Sequence, residues 1–312
     1  MDECYKGDGI EEVVENESAA LQDCRFSNEC LEGLINQERV HLRAPHQQVA
    51  VNVPLPREAR AAAVHMLGGL ALRIGLNPDG FQTAVALLDT YWVKASARVE
   101  LEDLPSICAS IGKLVHKSNR CTGQHYSQPP SPAFGQAAAW LAAWLHAHGL
   151  VTVPIAEERR AINEERIFKV LEGRLDVPTV DLWMQALDER SDITTGEKQQ
   201  LAVFFVWMRA KGHDLMRQVL MHITVFEFSP RSIALGFLLH GSRAAGLIPR
   251  GLARPMHWLG EPTESILGPG FPAELSDPDL MIQLLTKVTG TGALELQEHA
   301  HLLAGMANEF LG

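Results

Sequence analysis

The chain lacks most of the marks that announce chemistry. It has no Gly-rich phosphate loop, no G-x-S-x-G and no H-E-x-x-H. Phosphate-loop, hydrolase-elbow and zinc-protease mechanisms therefore have no motif to rest on. Basic runs are also missing. The net charge is −11, made of −7 over residues 1–55, +1 over 56–172 and −5 over 173–312. Nucleic-acid affinity comes largely from neutralising phosphates, so no direct nucleic-acid partner is expected. The five cysteines, Cys4, Cys24, Cys30, Cys108 and Cys121, form no C-x-x-C pair and are odd in number. That pattern fits reduced thiols in the nucleus or cytoplasm rather than a disulfide framework or a zinc site. The acidic start MDECYKGDGIEEVVENE has no apolar centre, so no signal peptide is expected.

Long apolar runs are scarce too. Residues 131–156 alone draw attention, since they contain no Asp, Glu, Lys or Arg. Gln136, His146, His148 and two prolines interrupt them, and alanine supplies much of their apolarity. A buried helix of a soluble protein fits better than a membrane span. The pairs His146/His148 and His299/His301 have a spacing that sends the two rings to different faces of a helix, so neither is a metal pair. Glu157-Glu158 and Glu164-Glu165 diverge likewise, and no shared catalytic role is expected of them. No metal, cofactor or catalytic residue is assigned, and the chain reads as a non-enzyme.

What is present is helical periodicity with helix punctuation. Residues 1–26 are acidic and aperiodic and are expected to form a flexible tail. Ser27 or Asn28 can cap a short amphipathic helix, ECLEGLINQERV, and three prolines make 43–56 an extended linker. Helix patterns follow over 57–74, 78–94, 102–118, 132–148 and 155–173. Gly75 stops the first, Asn77-Pro78 starts the second, and Gly173 with Pro178 ends the fifth. Past Val177 come VPTVDLWMQALDER, GEKQQLAVFFVWMRAKGH, HDLMRQVLMHITVFEF and SPRSIALGFLLHGSRAAG, the last with Ser229 as cap. A Pro/Gly-rich link at 249–278 precedes DPDLMIQLLTKVTG and GALELQEHAHLLAGMANEFLG. No segment alternates as a strand would, so the fold class is all-α, two bundles in tandem.

Some charged residues recur in an order that helix patterns alone do not explain. Arg60 opens the first helix. Leu88-Asp89 and Tyr91-Trp92 close the second, and Leu114-Val115-His116-Lys117 closes the third. Glu164, IFKVLEGRLD and Val177-Pro178-Thr179 follow in the fifth and just beyond. In that order and spacing these residues resemble a cyclin box, and FEFSPRSIALGFL is similar to a stretch of the second box in A- and B-type cyclins. The resemblance covers about residues 28–245. It implies two tandem five-helix cyclin boxes, 56–175 and 176–312, behind the tail and an N-terminal helix with linker (27–55).

The resemblance also implies a function. The chain would be a regulatory subunit of a cyclin-dependent protein kinase, active in cell-cycle control. Lys117 and Glu164 would lie side by side on the kinase-facing surface, with Phe168 and Leu175 supplying apolar contact. Arg60 and Asp89 would tie two helices together. A patch for docking substrates would fall on Ala59, Ala63 and Met66, which offer little apolar area. Gly173 stands where many cyclins place a Phe. A cyclin-fold adaptor that activates no kinase remains the alternative.

Overall fold

The computed structural model describes residues 28–46, 55–95, 99–121, 132–152, 164–195, 202–223, 229–244 and 278–311. The expectations for the tail, for most of the 249–278 link and for the paired carboxylates Glu157-Glu158 lie outside them. Among the described residues all regular structure is helical. The helices are α1 (Asn28–His46), α2 (Arg57–Ile74), α3 (Pro78–Ala95), α4 (Leu104–Cys121), α5 (Pro132–Ala147), α6 (Glu164–Val170), α7 (Val180–Thr195), α8 (Ala202–Val219), α9 (Pro230–Ala244), α10 (Pro278–Thr289) and α11 (Ala293–Leu311).

Local chemistry sets the ends. Gly75 closes α2 at φ +68°, a left-handed conformation that glycine reaches without Cβ strain. Asn77 Oδ1 accepts the Gly80 amide at 2.8 Å and caps α3. Glu100 and Asp103 form a reciprocal capping box over the 3-10 turn Leu101–Asp103 that leads into α4. Thr179 Oγ1 accepts the Leu182 amide at 3.1 Å and Ser229 Oγ that of Ser232 at 2.9 Å, capping α7 and α9.

Three expectations are corrected. The extended linker begins later than residue 43, because α1 runs on through Pro45 to His46; in a last turn, a missing N–H removes only one helix bond. Helix α4 runs a turn past Lys117, to Cys121. The two helices expected on either side of His213 are one, α8. Gly212 does not break it. The Phe237 ring packs beside it, where a Cβ would be in contact at 3.4 Å.

Helix α4 is the centre of the first group, packed by α2, α3, α5 and α6. Its Leu104, Ile107, Cys108 and Ile111 are wholly buried. Burial pushes the Cys108 thiol well above its usual pKa, so it stays a neutral core group. In the second group α9 packs on α7, α8 and α11, with Ala234, Phe237 and Leu238 wholly buried. Helix α3 meets α7, and the buried apolar residues of both groups form one continuous core.

Candidate functional site

Arg60 and Asp89 meet inside the protein, both with side chains almost fully buried. Arg60 Nε donates to Asp89 Oδ1 at 2.8 Å and Nη2 to Oδ2 at 2.9 Å, a bidentate pair. The remaining Nη1 donates to the Leu220 carbonyl at 2.7 Å. Leu220 follows the last turn of α8, so the guanidinium ties α2 and α3 to the second group of helices. No sequence signal announces that third bond, because a backbone carbonyl has no residue signature.

Lys117 and Glu164 come together at the surface. Lys117 Nζ, near the end of α4, donates to Glu164 Oε2 at the start of α6. The side chains are 65% and 27% exposed, so the pair faces outward. Glu164 occupies the first turn of α6, where a carboxylate also favours the helix dipole. One turn on, Phe168 is 44% exposed. Its ring lies against Gly173, where a Cβ would approach within 3.2 Å. Gly173 has φ +74° and ends the turn, with the Phe168 ring braced against it. Leu175 is half-buried against the core. Two further pairs flank the site. Lys169 and Glu165 lie 2.6 Å apart, and Lys94 and Glu172 3.0 Å apart. Each lysine holds its partner's carboxyl below the usual range.

The substrate-docking patch is corrected. Ala59, Ala63 and Met66 are 0, 0 and 4% exposed, so they form part of the core and offer no surface. Alanine and methionine suit an interior as well as a shallow patch, and sequence alone did not separate the two.

Sequence reasoning also missed a polar junction between the helix groups. Thr179 Oγ1 donates to Asp79 Oδ1, and the Asp181 amide donates to Gln82 Oε1 at 3.2 Å. Burial holds the Asp79 carboxyl above its usual pKa. Burial opposes ionisation of Asp181 too, but His213 at 2.5 Å and Arg209 at 3.5 Å outweigh it and keep that carboxyl below the usual range. The available signal was polar residues at the first turns of α3 and α7.

Helix α1 docks through Glu38, which is 5% exposed and accepts the Arg231 amide at 3.4 Å near the start of α9. Burial raises its pKa above 4.5, against the hydrogen bonds from Ser229 and Arg231. The native state then binds this proton more tightly than the unfolded chain does, so Glu38 costs stability as pH rises through the carboxylate range. Glu38→Gln is expected to raise the urea midpoint near neutral pH and to change nothing at pH values below that range. A lowered midpoint at neutral pH would mean that the ionised carboxylate is a net stabiliser of the α9 start.

Among the described residues, no three His, Cys, Asp or Glu side chains converge to hold a metal ion, and no helix is long and apolar enough to cross a membrane. No protein-family model, curated protein sequence or solved structure matches this chain.

Proposed function

We propose that the chain is a cyclin-like regulatory subunit, not itself an enzyme. It binds a cyclin-dependent protein kinase, activates it allosterically and acts in cell-cycle control in the nucleus or cytoplasm. The observation that carries this reading is the Lys117–Glu164 pair, brought together at the surface beside the exposed Phe168. The buried Arg60–Asp89 pair supports it, since the cyclin resemblance implies that these two residues tie two helices together.

The physical mechanism is selection of one kinase conformation. A kinase transfers phosphoryl groups only when its own Lys–Glu pair and the helix bearing that Glu are in place. A rigid helical partner that binds only this arrangement shifts the equilibrium toward it. Lys117 and Glu164 would hydrogen-bond backbone groups beside that helix, and Phe168 and Leu175 would supply apolar area.

An exposed ion pair contributes at most about 1 kcal/mol to stability, so both members can be removed without unfolding the chain. Purified cyclin-dependent kinases, assayed one by one with the full chain, are expected to include at least one that it binds and stimulates. Lys117→Ala with Glu164→Ala should lower that stimulation by about tenfold or more, a loss of about 1.4 kcal/mol in the complex, with the urea midpoint little changed. Stimulation of none of them would sink the reading. Binding without stimulation would favour a cyclin-fold adaptor, a role consistent with the burial of Ala59, Ala63 and Met66.

A further inference from the structure

Helix α2 carries a second stripe, turned away from the core. His65, Gly68, Gly69 and Leu72 follow at helical spacing, and Leu72 is 69% exposed. Facing it are Lys211, Asp214, Arg217 and Gln218 of α8, at the same spacing, with Met221 just past the end of that helix. Between the two stripes lies an open groove of about 500 Å³, floored by Val64 and Phe81. That volume is in the range of sites that take a few side chains of a ligand.

Two features separate this groove from an accidental surface depression. One is the pair of glycines. A mid-helix glycine weakens a helix, and packing here does not require either one. A Cβ on Gly69 would meet nothing within 4 Å, and one on Gly68 would make ordinary contact with the Phe81 ring at 3.6 Å. Their missing side chains keep the groove open. The other is charge. Lys211 and Arg217 are at the rim with the single acid Asp214, and neither cation forms an ion pair with a described residue. A locally cationic rim on a chain of net charge −11 is complementary to an acidic ligand.

We propose that this groove docks a short acidic segment of a partner protein. An apolar side chain of that segment enters over Gly68 and Gly69, between Leu72 and Met221. A neighbouring carboxylate meets Lys211 and Arg217. The surface is separate from Lys117, Glu164 and Phe168, so the proposal does not depend on the kinase reading. It also lies on a different face of α2 from Ala59, Ala63 and Met66.

The test selects peptides from a random library displayed on phage against the full chain, then measures the enriched peptides by fluorescence polarisation. The expected peptides pair a bulky apolar residue with adjacent acids. Gly69→Gln puts a Cβ where nothing lies within 4 Å and a long side chain into the groove, so it should weaken their binding by about tenfold or more while the thermal midpoint stays level or rises. Lys211→Glu with Arg217→Glu should turn the preference toward basic peptides. Three results would each overturn the proposal. They are no enriched peptide, enriched peptides indifferent to Gly69→Gln, and an affinity that rises about tenfold in a full chain carrying Lys at Glu11, Glu12, Glu15 and Glu17. The last would assign the groove to the chain's own acidic N-terminal segment.

Discussion

Arg60→Ala is expected to destabilise the protein by about 3–5 kcal/mol, the usual cost of removing one partner from a buried ion pair. The loss is large because the mutation strands two acceptors at once. Asp89 would remain buried and lose both bonds to the guanidinium that offsets its charge, and the Leu220 carbonyl would lose a charge-assisted bond of 2.7 Å. Arg60→Lys should recover only part of this. An ammonium carries the charge but lacks the planar fork that reaches both Asp89 oxygens and the carbonyl together. Replacing both members, Arg60→Met with Asp89→Leu, should cost less than Arg60→Ala, since no uncompensated charge stays inside. Urea unfolding of the three variants checks the order. An Arg60→Ala midpoint equal to that of the parent chain would mean that the guanidinium does not hold the two helix groups together.

How much of this could be read from the residues depends on the distance over which each interaction acts. Helix ends are local, and there the sequence was informative. Gly75, Asn77-Pro78 and Ser229-Pro230 sit at helix ends as their chemistry requires. Gly212 shows the limit of the same logic. A glycine reads as a break, yet this one lies inside α8 with the Phe237 ring packed beside it. Pairings across helices became legible only through an ordered pattern. Arg60 with Asp89 and Lys117 with Glu164 were expected together from the cyclin resemblance, and both meet. The bond to Leu220, 160 positions away, and the Asp181–His213 contact followed from no pattern. Which way Ala59, Ala63 and Met66 turn was likewise set by the helices packed on them and not by their own chemistry.

The other large effect comes from a single added methyl group. Gly236→Ala is expected to cost about 3 kcal/mol, at the upper end of what overpacking does. In α9 a Cβ at this position would lie 2.5 Å from the His299 carbonyl oxygen, 2.9 Å from its carbon and 3.1 Å from Leu303 Cβ. Two of those three atoms are backbone, so no side-chain rotation relieves the contact. Helices α9 and α11 would have to part. They pack through small residues there, with Ala300 and Ala304 buried on the α11 side, and His240 Nε2 donates to the Ala300 carbonyl at 2.8 Å. Separation would stretch that bond and open voids beside Phe237 and Leu238. The gain in helix propensity from Gly to Ala is only about 1 kcal/mol and cannot offset this. Gly305→Ala on α11 is the matched control. A Cβ there meets nothing within 4 Å, so the propensity gain should appear alone, as a midpoint at or above that of the parent chain. Chemical denaturation of the two variants should therefore move in opposite directions. If both rose together, α9 and α11 would not be in the close contact that excludes a side chain at Gly236.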